Sequence, residues 1–213
     1  MTTRLEEIFS VLPTCGAFAD VGCDHGYIAK AMLDRGKCEF AVISDISKKC
    51  LEKAENLLSD YIRQGKALSV VSDGLKGVRE VDLCLIAGMG GEEIVSIINS
   101  APFLPKRLVL QPMKNCDKVR VCVVKAGYKV VKDYCFTDGK KYYDLMVLER
   151  GKDSLTEEEI EFGRTNLLLR PDAFLMRNRE VVRRYDSLAN DQKLSLNDRQ
   201  AFLEKAEKLK NYV

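Results

Sequence analysis

Histidine is almost absent from this chain, with His25 the single one in 213 residues. Eight cysteines stand at 15, 23, 38, 50, 84, 116, 122 and 135, yet no two form a Cys-x-x-Cys pair. One imidazole and no paired thiols supply no ligand set for a zinc centre, so no metal is expected. Several cysteines sit inside apolar runs, as Cys84 does between Leu83 and Leu85, and are expected to be reduced and buried. No run approaches the roughly 18–20 apolar residues of a membrane span. The opening Met1-Thr2-Thr3-Arg4-Leu5-Glu6-Glu7 lacks the apolar core of a signal peptide, so a cytoplasmic location without membrane contact is expected. Internal repeats and low-complexity tracts are missing too. A strong excess of one charge is also lacking. The formal net charge of +2 does not mark a dedicated polyanion binder, and any nucleic-acid surface must come from local clustering.

What is present is globular usage, 46% hydrophobic and 31% charged, at a length that suits one medium domain with a small appendage. Short apolar runs alternate with helical patterns through the first 150 residues. Strands are predicted at 18–22, 39–44, 67–71, 83–87 and 107–110, and helices at 25–35, 47–64, 92–99 and 118–126. Residues 128–136 and 142–149 read as two strands joined by Thr137-Asp138-Gly139-Lys140, where Asp-Gly is a strong hairpin signal. The alternation implies an α/β fold with a parallel sheet covered on both faces, ending in an antiparallel hairpin. Composition shifts at Arg150-Gly151-Lys152-Asp153. Beyond it, Thr156 and Glu159 form a capping box and open a helical tail with breaks near 170–172 and 191–197. Val181, Val182, Tyr185 and Leu188 are placed to face Phe202, Leu203, Ala206 and Leu209 across an antiparallel helix pair. Two domains are expected, 1–150 and 151–213.

The chemistry is concentrated where predicted strands stop. Asp20-Val21-Gly22-Cys23-Asp24-His25-Gly26-Tyr27 spans the first strand-to-helix turn, whose glycines permit a tight turn and close approach to a ligand. Asp45, followed by Ile46, ends strand two, where an acid can accept both ribose hydroxyls of an adenosine. Asp73-Gly74-Leu75 ends strand three, where a carboxylate can receive an adenine amino group. Ala87-Gly88-Met89-Gly90-Gly91 ends strand four, beside the reacting centre. Taken singly, Asp45 reads equally as a helix-start acid, Asp73-Gly74 as an ordinary turn and Gly88–Gly91 as a loop. All four together follow the rule that ligands of open sheets bind at the carboxyl ends of the strands. A dinucleotide would call for Gly-x-Gly-x-x-Gly, and an acid inside the turn is a poor neighbour for a pyrophosphate. It suits a cofactor bearing a sulfonium and an ammonium, so S-adenosyl-L-methionine is the expected cofactor. The terminal hairpin agrees, because Rossmann-like class I methyltransferase sheets end that way.

These motifs resemble one family closely, the bacterial tRNA adenine-22 N1-methyltransferases (TrmK family). The shared marks are Arg4-Leu5, Asp20-Val21-Gly22-Cys23-Asp24-His25-Gly26-Tyr27, Ser72-Asp73-Gly74-Leu75, Ala87-Gly88-Met89-Gly90-Gly91, Leu110-Gln111-Pro112, and Asp138-Gly139-Lys140 followed by Tyr143. They run in order from residue 4 to about residue 150. Gly26, Met113 and Ser47-Lys48-Lys49 depart from the family's usual residues, and the tail is divergent. The resemblance implies methyl transfer to N1 of an adenine in tRNA, a coiled-coil-like helical C-terminal domain, and tRNA as partner. Asp20, Gly22, Asp24, Gly26, Asp45, Ile46, Asp73, Gly74, Leu75, Ala87, Gly88, Met89 and Gly90 are then the candidate cofactor-binding residues. Asp24, His25 and Tyr27 are the candidate catalytic residues, Tyr27 as a platform for an extruded base. A core tyrosine and a purely structural histidine are the plainer readings.

Charge clustering agrees with an RNA partner: residues 106–141 hold ten Lys or Arg (106, 107, 114, 118, 120, 125, 129, 132, 140 and 141) against three Asp. Arg164, Arg170, Arg177, Arg179, Arg183 and Arg184 form a second group. Phosphate contact would reward both patches through counterion release, while solvated helix faces explain either one alone. Two other functions remain open at this level, a small-molecule methyltransferase and a non-catalytic RNA-binding protein. A monomer is expected.

Overall fold

The computed structural model describes residues 2–213. Five strands, β1 (Cys15–Val21), β2 (Cys38–Asp45), β3 (Ala67–Val71), β4 (Leu83–Met89) and β5 (Arg107–Pro112), run parallel, and a hairpin of β6 (Tyr128–Asp138) and β7 (Lys141–Arg150) closes the sheet. The strand order is β3-β2-β1-β4-β5-β7-β6, with β7 antiparallel to both of its neighbours. The hairpin therefore enters second strand first: β7 lies inside the sheet and β6 takes the edge. This is the Rossmann-like class I methyltransferase sheet that the motifs predict.

The inner strands are apolar almost throughout because both faces are covered. On one face α1 (Thr3–Val11), α2 (Tyr27–Asp34) and α3 (Lys48–Leu57) place Ile8, Phe9, Ile28, Met32 and Leu51 against Phe18, Ile43 and Leu85. On the other, α5 (Gly91–Ser100) and α6 (Cys116–Lys125) place Ile94, Ile98, Val119 and Val123 against Val21, Ile86 and Leu108. Two differences from the sequence expectation matter. The helix predicted over 47–64 divides at the fully buried Leu58 (φ −102°, ψ 13°), and a short α4 (Ser59–Arg63) then lets Tyr61 donate a hydrogen bond to Asp34 at 2.8 Å. Helix α1 occupies a stretch for which the sequence pattern predicts no element. The eight cysteines are free thiols, five of them buried. No helix among the described residues is long and apolar enough to cross a membrane.

Past β7 come α7 (Glu157–Phe162), α8 (Arg164–Leu169), α9 (Asp172–Ala189) and α10 (Leu196–Lys210). The capping box is formed: the Glu159 N–H donates to Thr156 Oγ1 at 3.2 Å and the Thr156 N–H to Glu159 Oε2 at 2.9 Å. The expected helix pair is α9 with α10, where Tyr185 and Phe202 stack at 5.8 Å, although Leu203 faces solvent. These helices share a small core with the hairpin, built from Cys135, Phe162, Phe174, Val182 and Leu209.

A buried ion pair fastens this junction. Arg120 of α6, 1% exposed, donates to both Asp133 carboxylate oxygens at 2.6 and 3.0 Å, and also to the carbonyls of Ile160 and Glu161 at 2.9 and 3.2 Å. Burial raises the Asp133 carboxyl above its ordinary value, and the Arg120 guanidinium opposes that rise. Nearby, Arg177 donates to Asp144 at 2.7 Å. Asn166 and Thr165 of α8 accept the N–H groups of Cys135 and Asp133 at 2.8 and 2.9 Å, covering edge strand β6 with side chains. Gly163, at φ +88°, permits the approach, since a β-carbon there would stand 2.9 Å from the Asp133 carboxylate. Arg120, Arg164 and Arg177 are thus engaged within the protein and drop out of the basic groups counted from the sequence.

Leaving one of two buried charges alone is costly, so Asp133→Ala should lower the unfolding free energy by about 3–5 kcal/mol. The double variant Arg120→Met/Asp133→Leu should lose less than the single one. Urea unfolding of the three proteins measures both.

Candidate functional site

The carboxyl ends of β1 and β4 lie side by side, yet the chain leaves β1 for α2 on one face and β4 for α5 on the other. Between the departing turns a crevice opens in two lobes, both lined by Gly22. Its backbone stands at φ +71°, a conformation that glycine adopts without strain, and a β-carbon there would displace the Met89 terminal methyl.

The larger lobe, about 420 Å³, is lined by Asp20, Asp24, His25, Tyr27, Ala87 and Gly88 among others. Asp20 is 6% exposed. Burial pushes its carboxyl up to about 7, with a backbone N–H from Ala29 opposing and the charge of Asp45 adding. Burial together with Asp20 also raises the Cys23 thiol, which is no nucleophile at neutral pH. Asp24 adopts the left-handed conformation (φ +46°), uncommon for a residue other than glycine, and its carboxylate projects toward solvent. It lies 3.7 Å from His25 Nε2 and 3.8 Å from Lys53 Nζ. His25 and Tyr27 form a nearly parallel stack, centroids 5.3 Å apart at 16°. Tyr27 is 48% exposed, so it stands at the mouth of the lobe and outside the core.

The smaller lobe, about 220 Å³, is lined by Asp45, Ile46, Asp73, Gly74, Met89 and residues of α5. One Asp45 oxygen accepts the Ser47 N–H at 2.8 Å, which holds the carboxylate at the start of α3. Ile46 is 73% exposed, an apolar surface against which a planar ring can lie. Asp73 pairs with Lys76 at 2.6 Å near the solvent boundary. The crevice thus offers an acid at the end of each of β1, β2 and β3, an apolar face, and Gly22 shared by the two lobes. These features fit an adenosine with a cationic amino-acid extension.

Not every predicted residue faces the crevice. The Leu75 side chain is 1% exposed and belongs to the apolar core beneath it. Gly26 begins α2 and packs on Ala54 and Leu58, so its part is to shape the turn. Gly90 begins α5, and its N–H donates to Glu93 at 2.8 Å. The residues missed from sequence are Thr2, Arg4, Leu5 and Ile8, which wall the larger lobe from α1, and Glu93, Ser96 and Ile97 of α5 in the smaller one. A signal for α1 existed: Thr2 caps Leu5, and Leu5, Ile8 and Phe9 share one helical face.

The family described as methyltransferase domain matches residues 1–146. The tRNA (adenine(22)-N(1))-methyltransferase of Bacillus subtilis is 26% identical over 192 residues, covering 85% of this chain and 77% of that one. The crystal structure of the B. subtilis m1A22 tRNA methyltransferase TrmK superposes over 100% of this chain and 98% of its own, with a TM-score of 0.83 at 20% identity. M. capricolum TrmK, solved with S-adenosyl-homocysteine, gives 0.85 at 21% identity over 100% and 97% of the two chains.

Asp20 provides a pH signature independent of activity. Its folded value near 7 exceeds the ordinary carboxylate value, so its contribution to stability is full below about pH 4 and is lost as pH rises through 7. Asp20→Asn removes the titration. The variant's stability relative to the parent should therefore climb between pH 4 and 7, by up to about 4 kcal/mol, and then level off. Denaturant titrations across that range test it; a flat difference would place the Asp20 carboxylate in a wetter setting.

Proposed function

This chain belongs to the methyltransferase-domain family, and we propose that it transfers the methyl group of S-adenosyl-L-methionine to N1 of an adenine in tRNA, at position 22. The observation that carries the reading is the two-lobed crevice, with acids at three strand ends and the His25–Tyr27 stack at its mouth. The tRNA target is supported by the B. subtilis tRNA (adenine(22)-N(1))-methyltransferase, matched over 85% of this chain.

In this reading Asp45 receives the ribose hydroxyls, Ile46 backs the adenine ring, and Asp73 with Gly74 faces its amino edge. Asp20 and Asp24 take the ammonium end. The cofactor supplies a methyl group already activated on a sulfonium. Adenine N1 carries an in-plane lone pair, so the protein's work is alignment and charge stabilisation, with no base needed to remove a proton first. N1 lies on the pairing edge, which requires an extruded base. Tyr27, held by its stack on His25, presents a ring face for that base. His25 is kept in place by the stack, with the Asp24 carboxylate 3.7 Å from its Nε2. Methylation at N1 leaves the ring cationic, and the Asp24 carboxylate at the same lobe opposes that charge.

Labelled methyl from S-adenosyl-L-methionine should appear in unmodified tRNA but not in small amines or phenols. Reverse transcription of the product should stop at position 22. Transfer to the small acceptors alone would assign a small-molecule enzyme, and no transfer with intact RNA binding a non-catalytic one.

The stacking role makes its own forecast. Tyr27→Ala should weaken tRNA methylation at limiting substrate by about 1–3 kcal/mol, while Tyr27→Phe stays near the parent. Melting temperature and cofactor affinity should hold in both variants. Full methylation by a folded Tyr27→Ala protein would remove Tyr27 from the base site.

A further inference from the structure

The β6–β7 hairpin outruns the sheet that it closes. Its last pair with β5 joins Leu110 to Met146, whereas β6 and β7 stay paired up to Asp138 and Lys141. β5 itself stops at Pro112, so the arm passes it by about three residues, roughly 10 Å at the rise of a strand. It does so at the carboxyl end of the parallel strands, where the crevice opens, two strands across from β4 and three from β1. Neighbouring strands lie about 4.8 Å apart, which sets the tip about 10–15 Å from the crevice. The tip stands clear: beyond its own chain neighbours, nothing lies within 4 Å of where a β-carbon of Gly139 would be.

Helix α9 climbs beside the arm. Arg177 donates to Asp144 at 2.7 Å, and one turn on the Tyr142 O–H donates to Glu180 at 2.6 Å. From Glu180 to Arg184 the helix rises about 6 Å, as the arm does from Tyr142 to Lys140. Arg184 thus comes level with the tip, on the face of α9 that the arm already touches. Lys140, Lys141 and Arg184 are all exposed. Among the described residues none of the three pairs with a carboxylate, whereas Lys118, Lys129 and Arg177 do. We propose that the hairpin tip and the facing turn of α9 form a clamp for the tRNA backbone, with Lys140, Lys141 and Arg184 on phosphates flanking the adenine in the crevice. The inference rests on the tRNA reading and names where the backbone is held. Phosphates that replace the counterions of three free cations release those ions, which favours binding and makes it depend on salt. Such contacts position the substrate without reading its bases. The ties at Asp144 and Tyr142 keep the prong from yielding under that load.

Binding of an unmodified tRNA transcript to the full chain, measured over a series of salt concentrations, tests this. Lys140→Gln/Lys141→Gln/Arg184→Gln should bind about 10–100-fold more weakly at low salt, and the slope of log affinity against log salt should shrink by about 3, one per contact. In methylation assays KM for tRNA should rise while kcat holds. Melting temperature and S-adenosylhomocysteine affinity should match the parent. Lys140→Arg/Lys141→Arg keeps both charges and should keep affinity and slope. Lys66→Gln/Arg79→Gln removes two exposed cations beside the amino ends of β3 and β2, and should change neither. Parent-like affinity and slope in the triple variant overturn the proposal. An equal loss in the Lys66/Arg79 variant also overturns it, because any cation would then serve. A loss that the arginine pair shares, or one that comes with a lower melting temperature, overturns it as well, since shape rather than charge would be at work. Absence of tRNA binding by the parent would instead overturn the tRNA reading, and this inference with it.

Discussion

Everything at the site depends on the reversal of strand order between β1 and β4. Right-handed crossovers carry the chain from β1 toward β2 and from β4 toward β5, on opposite faces of one twisted sheet. No connection can pass over the point where the two directions part, so a crevice is unavoidable there. The carboxyl ends of β1, β2, β3 and β4 all open onto it, and residues distant in sequence meet around it. Gly22 and Met89 touch across the divide, which leaves one cleft in two lobes.

The same constraint explains what could be read from the sequence. Each strand-end acid follows an apolar run that must stop where the core stops, so Asp20, Asp45 and Asp73 are marked by position as well as by type. The hairpin was legible through Asp138-Gly139, because few dipeptides accept that turn. Other features depend on contacts that no local pattern encodes. Helix α1 is one short amphipathic stretch, and only its packing on Phe136 and Tyr143 makes it a wall of the site. The division at Leu58 follows from burial of that side chain, since the residues on either side keep a helical rhythm. Arg120 and Arg177 looked like surface charge because their partners, Asp133 and Asp144, lie in a hairpin that only the fold brings near.

Charge at this site is spent in two ways. At the C-terminal junction opposite charges are paired in dry surroundings, which rigidifies the contact between α6, β6 and the tail helices. In the crevice, buried Asp20 has no cationic partner and Arg4 Nε has no hydrogen-bond partner, a state that costs stability and suits a ligand bringing complementary charge. The stable and the strained regions meet along β7, which carries Asp144 on one side and Tyr143 beside Arg4 on the other.

The inverted entry of the hairpin also orders events during synthesis. β5 pairs with β7, joining Arg107 to Glu149 and Leu110 to Met146, and β7 is the one strand that pairs with β6. While the ribosome is still producing residues 113–145, the outer edge of β5 has no neighbour, and a nascent chain carries an open template for mispairing. The last strand to emerge is the one that seals it. Arg120 is likewise made before Asp133, so its charge stays hydrated until the hairpin arrives. A chain released before residue 150 would therefore keep an exposed strand edge and an unmatched cation, both of them marks that quality control can detect.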